Sequence, residues 1–112
     1  MYMPEPAKIH GAQEFDKAKG SAKVVLIDFT ATWCGPCRML GPILEQLATE
    51  YKPEDMKLFK LDVDENNDLS NKFHISAVPA VAFFKNGQQQ GQLLVGLRKK
   101  DDYKKMIDAF LK

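Results

Sequence analysis

The sequence predicts an α/β domain with a central mixed sheet of five strands, flanked by four helices. Three observations predict it: strand and helix patterns alternate, helix-length segments separate the early strands, and a two-residue turn joins the last two strands. Strands separated by helices form right-handed parallel crossovers, whereas a tight turn joins antiparallel strands. The predicted order is therefore β-α-β-α-β-α-β-β-α.

The first half of the chain contains two strands and two helices. Residues 8–10 predict a short strand, and residues 11–19 a helix with Gly20 as its C-cap. Residues 23–30 are apolar at both alternating positions, which indicates a strand buried on both faces. A long helix follows, which Pro53 ends, and its apolar stripe has helical spacing: Leu40, Ile43, Leu44, Leu47, Ala48 and Tyr51.

The second half predicts a strand at residues 56–63, a short helix at residues 67–73 and a hairpin at residues 80–95. The Asn-Gly dipeptide at residues 86–87 is a strong turn signal for this hairpin. The last helix begins near Asp101, which we expect to cap it. Its apolar face consists of Tyr103, Met106, Ile107, Phe110 and Leu111.

The length of 112 residues suits one domain, because two halves would each be too small for a stable core. We expect a flexible N-terminal lead at residues 1–7 and a single domain at residues 8–112. The lead has neither the basic start nor the apolar core of a signal peptide. We therefore expect a cytoplasmic protein, although a secreted protein whose signal had been removed would have the same composition.

The overall charge argues against nucleic-acid and membrane partners. The formal net charge is +1, and the densest basic group, at residues 98–100, is followed at once by two aspartates. That arrangement is typical of a solvated helix entrance. The longest apolar stretch, at residues 77–84, is far shorter than the roughly 20 residues that span a bilayer.

Both cysteines lie in one motif, Trp33-Cys34-Gly35-Pro36-Cys37, between the buried strand and the long helix. Helical residues three apart lie about 5 Å apart at Cα, which a disulfide can bridge. So short a loop gains little chain entropy from the bond, which favours a reversible redox pair over a structural staple. We expect Cys34 at the helix N-terminus, where the dipole stabilises a thiolate, and Cys37 one turn deeper and less exposed.

The cysteine pair has two other interpretations. A zinc site needs two more ligands, but the chain has no second cysteine pair, and His10 and His74 are isolated in the sequence. A pair of inert buried cysteines is the other alternative. We expect no metal site and a redox-active disulfide.

The motif at residues 33–37 is that of the thioredoxin family, which the chain resembles from about residue 8 to residue 111. Further residues match family positions: Pro42, Lys60, Val78, Pro79 and Gly96. The resemblance implies a thioredoxin fold and a general protein disulfide reductase with no bound cofactor. It also implies Cys34 as the nucleophile and Cys37 as the resolving thiol.

Asp28 interrupts the apolar strand before the motif, where burial raises the pKa of a carboxyl group. The resemblance implies that Asp28 assists proton transfer to and from Cys37, with Lys60 on the neighbouring strand as its possible partner. The alternatives are a carboxylate at the wet end of the strand and a solvent-facing lysine.

The resemblance also implies a cis Val78-Pro79 bond facing the cysteines and backbone pairing between Val78 and a substrate peptide. The implied docking surface consists of Trp33, Gly35, Pro36, Val78, Pro79 and Gly96. Trp33 could instead be a core aromatic. Thr30 and Ala80 depart from the family, where tryptophan and threonine are common, and bear on substrate preference and redox poise.

The implied partners are disulfide-containing proteins, such as peroxiredoxins and reductases, and an NADPH-dependent flavoenzyme, thioredoxin reductase. The chain has no nucleotide motif, so NADPH and FAD are assigned to the partner. We expect a monomer. Two alternatives stay open: an oxidising or isomerising relative, and a non-catalytic, redox-dependent binding subunit.

Overall fold

The computed structural model describes residues 6–112 and has the predicted mixed sheet with four helices. In chain order the elements are β1 (Ala7–Lys8), α1 (Gly11–Lys19), β2 (Val24–Thr30), α2 (Gly35–Ala48), β3 (Met56–Asp62), α3 (Asn67–Lys72), β4 (Ala80–Lys85), β5 (Gln88–Val95) and α4 (Lys100–Leu111). The strands lie in the order β1-β3-β2-β4-β5. β1, β3 and β2 are parallel, whereas β4 is antiparallel to both β2 and β5. Residues 1–5 of the predicted lead lie outside the described residues.

β2 is the central strand, and its alternating side chains enter two separate cores. The α1/α3 face of the sheet buries Val25, Ile27 and Phe29 together with side chains of α1 and α3. The α2/α4 face buries Val24 and Leu26 against a second cluster: Leu40, Leu44, Leu47, Tyr103 and Ile107. The sheet is therefore covered by two helices on each side.

Two predicted boundaries and one predicted cap were wrong, although α4 does begin near Asp101. β1 is Ala7–Lys8 rather than residues 8–10, although the Ile9 N–H still donates to the Lys60 carbonyl at 2.9 Å. α2 ends at Ala48, well before Pro53, because the C-cap Thr49 donates its backbone N–H to carbonyls of the last turn. α4 has Lys99 as its N-cap, without a side-chain cap, and Asp101 lies in the first turn, where the helix dipole favours a negative charge.

The hairpin forms at the predicted turn, where Asn86 and Gly87 both have positive φ angles, of 52° and 81°. The β4–β5 register shifts between Val81 and Phe83, and Gly91 in β5 has a φ of 65°. A positive φ at position 86 favours asparagine or glycine, and a positive φ at position 91 favours glycine. No helix within residues 6–112 is long and apolar enough to cross a membrane.

Candidate active site

The two cysteines lie where β2 passes into α2, and they form a disulfide with a Cα–Cα distance of 5.3 Å. Cys34 is the N-cap of α2, as predicted, and its Sγ accepts a hydrogen bond from the Cys37 N–H at 3.2 Å. Pro36 occupies the first turn, where its missing N–H leaves no helix bond unmade. The Cys37 N–H in the first turn of α2 therefore points at Cys34 Sγ.

The expected difference in exposure between the two cysteines is absent, because both are only 4% exposed. They pack in a small cluster with Ala31, Val63 and Val78. Cys34 Sγ lies 3.7 Å from the Val78 carbonyl oxygen. Helix position and surroundings, rather than depth, distinguish the two sulfurs.

Asp28 is 3% exposed, which rules out a place at the wet end of its strand. Its Oδ1 has no hydrogen-bond partner among the described residues. Burial raises the pKa of Asp28 to about 7; the positive charge of Lys60 opposes this rise, and the negative charge of Glu45 adds to it. Lys60 is the parallel register partner of Asp28 on β3 and is half-buried.

The loop before β4 lies against the disulfide. The Val78-Pro79 bond is cis, and Pro79 is buried. The Gly96 N–H donates to the Pro79 carbonyl at 2.8 Å, and Gly96 has a φ of 89°, which favours glycine. The structure therefore places Val78 beside Cys34 and joins Gly96 to Pro79, the next residue of the same loop.

Trp33 is 68% exposed, which excludes the core-aromatic alternative. Its indole Nε1 donates to Asp64 Oδ2 at 2.8 Å, and this bond fixes the ring at the surface. A cavity of about 200 Å³ lies beside the ring and is lined by Trp33, Val63, Ile75, Ser76, Ala77 and Val78. Gly35 is half-buried and Pro36 exposed at the same edge.

Three residues of this region were not predicted from the sequence: Arg38, Met39 and Asp64. Asp64 anchors Trp33, and the Arg38 guanidinium donates to the Thr32 carbonyl at 3.0 Å, which ties α2 to the loop before the motif. Met39 is 62% exposed next to the motif. Of these three residues, only Met39 gave a signal in the sequence: it is apolar but lies outside the apolar stripe of the long helix, which indicates an exposed position.

No group of three His, Cys, Asp or Glu side chains within residues 6–112 could hold a metal ion. Both sulfurs are bound to each other, so the cysteine pair is not a zinc half-site in this structure. A disulfide that closes so short a loop constrains little of the fold and suits reversible thiol chemistry. Fold and site together define a thiol–disulfide oxidoreductase.

A family model described as "Thioredoxin" matches residues 6–109, and the chain belongs to the thioredoxin family. It is similar to Thioredoxin-1 of Saccharomyces cerevisiae, with 43% identity over 83 residues that cover 74% of this chain and 79% of the yeast protein. A thioredoxin of Staphylococcus aureus is 40% identical over 98 residues, which cover 88% of this chain and 91% of that protein.

Solved structures give the same result. A mutant thioredoxin from Halobacterium salinarum has a TM-score of 0.87 and 38% identity, covering 96% of this chain and 92% of that chain. A chain from a structure on thiol resolution in a yeast mitochondrial peroxiredoxin, via glutathione and thioredoxin systems, has a TM-score of 0.83 and 31% identity. That match covers 93% of this chain and 94% of the other.

The chain is therefore a protein disulfide reductase that works through the redox-active pair Cys34 and Cys37. The predicted fold, family and reaction are confirmed. The family implies disulfide-containing substrates and a reductase that restores the dithiol.

Proposed function

We propose that Cys34 is the attacking thiolate of a general protein disulfide reductase and that Cys37 is the resolving thiol. The observation that carries this assignment is the hydrogen bond from the Cys37 N–H to Cys34 Sγ at the N-cap of α2. In the reduced protein this donor and the positive end of the helix stabilise a thiolate at Cys34.

The reaction begins when the Cys34 thiolate attacks one sulfur of a substrate disulfide. A mixed disulfide forms, the substrate disulfide breaks, and its other sulfur leaves as a thiolate that takes up a proton. The Cys37 thiolate then attacks Cys34 Sγ. The Cys34–Cys37 disulfide forms, the second substrate sulfur leaves, and two electrons have passed from the dithiol to the substrate.

Asp28 accepts the proton of Cys37 before the second attack. Two observations support this role: Asp28 is buried on the α2/α4 face below the motif, and its Oδ1 has no hydrogen-bond partner among the described residues. Its pKa of about 7 suits a group that takes and returns a proton near neutral pH. Lys60, its register partner, moderates that pKa.

Substrate proteins dock on the exposed surface around the disulfide. The Val78 backbone pairs with an extended substrate segment, and the exposed Trp33 ring supplies apolar contact beside it. Gly35, Pro36 and Gly96 complete the surface, and the buried Pro79 supports it from beneath. Thr30 and Ala80 tune substrate preference rather than the reaction.

The reductase partner is a thioredoxin reductase, whose NADPH and FAD supply the electrons. Peroxiredoxins are among the substrates, a choice supported by the peroxiredoxin system named for one structural relative. The protein works in the cytoplasm as a monomer, with a single domain that begins at Ala7 of β1 rather than at the predicted residue 8.

The test is reduction of insulin disulfides, followed by turbidity with dithiothreitol as the electron donor. The wild type is compared with Cys34→Ser and Cys37→Ser. We expect acceleration by the wild type only, and a trapped mixed disulfide with Cys37→Ser. If Cys34→Ser turned over insulin, or if its Cys37 formed a trapped mixed disulfide with the substrate, the assigned roles of the two cysteines would be reversed. A folded wild type without activity would favour a binding subunit.

A further inference from the structure

A row of three residues along α2 connects the disulfide to a second carboxylate. Cys37, Gly41 and Glu45 are spaced four apart, so they lie on one face of the helix. Long side chains on a helix lean toward its N-terminus, which directs Glu45 over Gly41 toward Cys37. The Glu45 carboxylate lies beside Gly41, because a Cβ added at Gly41 would be in van der Waals contact with Glu45 Oε2, at 3.5 Å.

Glycine in the middle of a helix is less favourable than alanine. At position 41, however, its missing side chain leaves open the space between Glu45 and the turn that carries Cys37. Cys37 and Gly41 are buried, whereas Glu45 is half-buried.

The row faces the strands that carry Asp28 and Lys60. Glu45 lines a cavity together with Leu58 of β3. Leu58 and Lys60 are two residues apart, so they point to the same face of the sheet, and Lys60 pairs in register with Asp28. Glu45, Lys60 and Asp28 are thus three charged groups between α2 and this face of the sheet.

We propose that Glu45 is a positioning residue for the proton step, acting from the gap at Gly41 on the proton that Asp28 exchanges with Cys37. This inference rests on the proton-acceptor role proposed above for Asp28. Lys60 of β3 is the register partner of Asp28 and lines one cavity with Cys37 of α2. Glu45 of α2 and Tyr103 of α4 are the other titratable groups that interact with the charge of Asp28. Its register partner on β4 is the apolar Val81.

The charges around Asp28 give the direction of the effect. Burial is the main cause of the raised pKa of Asp28, the Lys60 charge lowers that pKa, and the Glu45 charge raises it. Glu45 therefore keeps Asp28 protonated to higher pH. Because Asp28 must lose its proton before it can accept one from Cys37, removing the Glu45 charge extends activity to lower pH.

The experiment measures the protonation of Asp28 directly, by the pH titration of its carboxyl carbon in NMR spectra of the oxidised protein. Glu45→Gln is expected to lower the midpoint by roughly 0.3–1 pH unit, as for a charge in an intermediate dielectric. Glu45→Asp keeps the charge and should retain most of the wild-type midpoint. Glu50→Gln is the matched control, since Glu50 pairs with Lys100 and Lys104 of α4.

The same variants are then assayed for insulin reduction across pH. The acid limb of turnover should move to lower pH in Glu45→Gln and stay in place in Glu50→Gln. An unchanged midpoint in Glu45→Gln, or an equal shift in Glu50→Gln, would overturn the inference. A moved midpoint with an unmoved acid limb would overturn its catalytic part. Failure of the Asp28 role is seen separately, as full turnover by Asp28→Asn.

Discussion

The α1/α3 and α2/α4 faces of the sheet differ in what they bury, although β2 contributes side chains to both. On the α1/α3 face, Phe15, Phe29, Phe73 and Phe84 pack ring against ring, with centroids 5.1–6.0 Å apart. On the α2/α4 face, the neighbouring Asp28 is buried with an oxygen that has no partner among the described residues. Packing of aromatic rings therefore stabilises the fold on the α1/α3 face. On the α2/α4 face, the buried carboxyl group lowers stability but provides a titratable group beside the disulfide.

The largest effect is expected on the aromatic face. Phe15 is 1% exposed and contacts the rings of Phe73 and Phe84. Phe15→Ala should lower the free energy of unfolding by about 3–5 kcal/mol, because it leaves a cavity among rigid neighbours. Urea denaturation measures this loss, with the exposed Lys17→Ala on the same helix as the control. A loss below about 1 kcal/mol would mean that this face is not close-packed.

The second effect concerns Asp28 on the α2/α4 face, where a substitution is expected to raise the free energy of unfolding rather than to lower it. The pKa of Asp28 rises from 3.8 to about 7 on folding, so the native state binds more protons between these values. The free energy of unfolding therefore falls as pH rises from about 3.8 to about 7, because folding then has to bury a carboxyl group that is ionised in the unfolded chain. Above about pH 7 the loss is complete and no longer changes with pH. The rise corresponds to about 4 kcal/mol.

Asp28→Asn removes this titration. The difference in the free energy of unfolding between variant and wild type should grow, in favour of the variant, by about 4 kcal/mol from pH 3.5 to pH 9. Urea denaturation of both oxidised proteins across this range measures it, and the other titrating groups cancel in the difference. A difference that is flat with pH would show that Asp28 is not desolvated as the structure implies.

The smallest effect concerns the polar contacts that Tyr51, which follows α2, makes with Lys104 and Asp108 of α4; we call these contacts the polar rim. The Tyr51 hydroxyl donates to Asp108 at 2.6 Å and accepts from Lys104 at 3.2 Å. Tyr51→Phe should cost about 0.5–1.5 kcal/mol, the net value of such hydrogen bonds. Lys105→Ala, which breaks an exposed pair with Asp101, is the control and should cost less. Equal losses would mean that this rim adds nothing specific.

Local pattern was sufficient for most of the fold. The period of the apolar residues located β2 and α2, and the Asn-Gly turn located the hairpin, because those signals lie within a few residues. Element ends were less predictable. Asp101 is a good cap in isolation, but the chain enters α4 one residue after Lys99, and the aspartate stabilises the first turn instead.

The motif located both cysteines in the site, and an acid within an apolar strand indicated Asp28. The contacts between distant segments could not be predicted. The Trp33–Asp64 hydrogen bond spans 31 residues, and its residues become neighbours only when β3 pairs with β2. The equal exposure of the two cysteines depends on how the cis-proline loop covers Cys34, which no sequence period encodes.

The short β1 and the irregular β5 have a consequence for behaviour at high concentration. They form the two outer strands, and an outer strand with a long straight backbone can recruit a second copy into an intermolecular sheet. β1 offers only two residues, and the register shift of β5 near its positive-φ glycine breaks the straight run of backbone groups. Within residues 6–112, neither outer strand therefore offers a second copy a long, straight backbone to pair with.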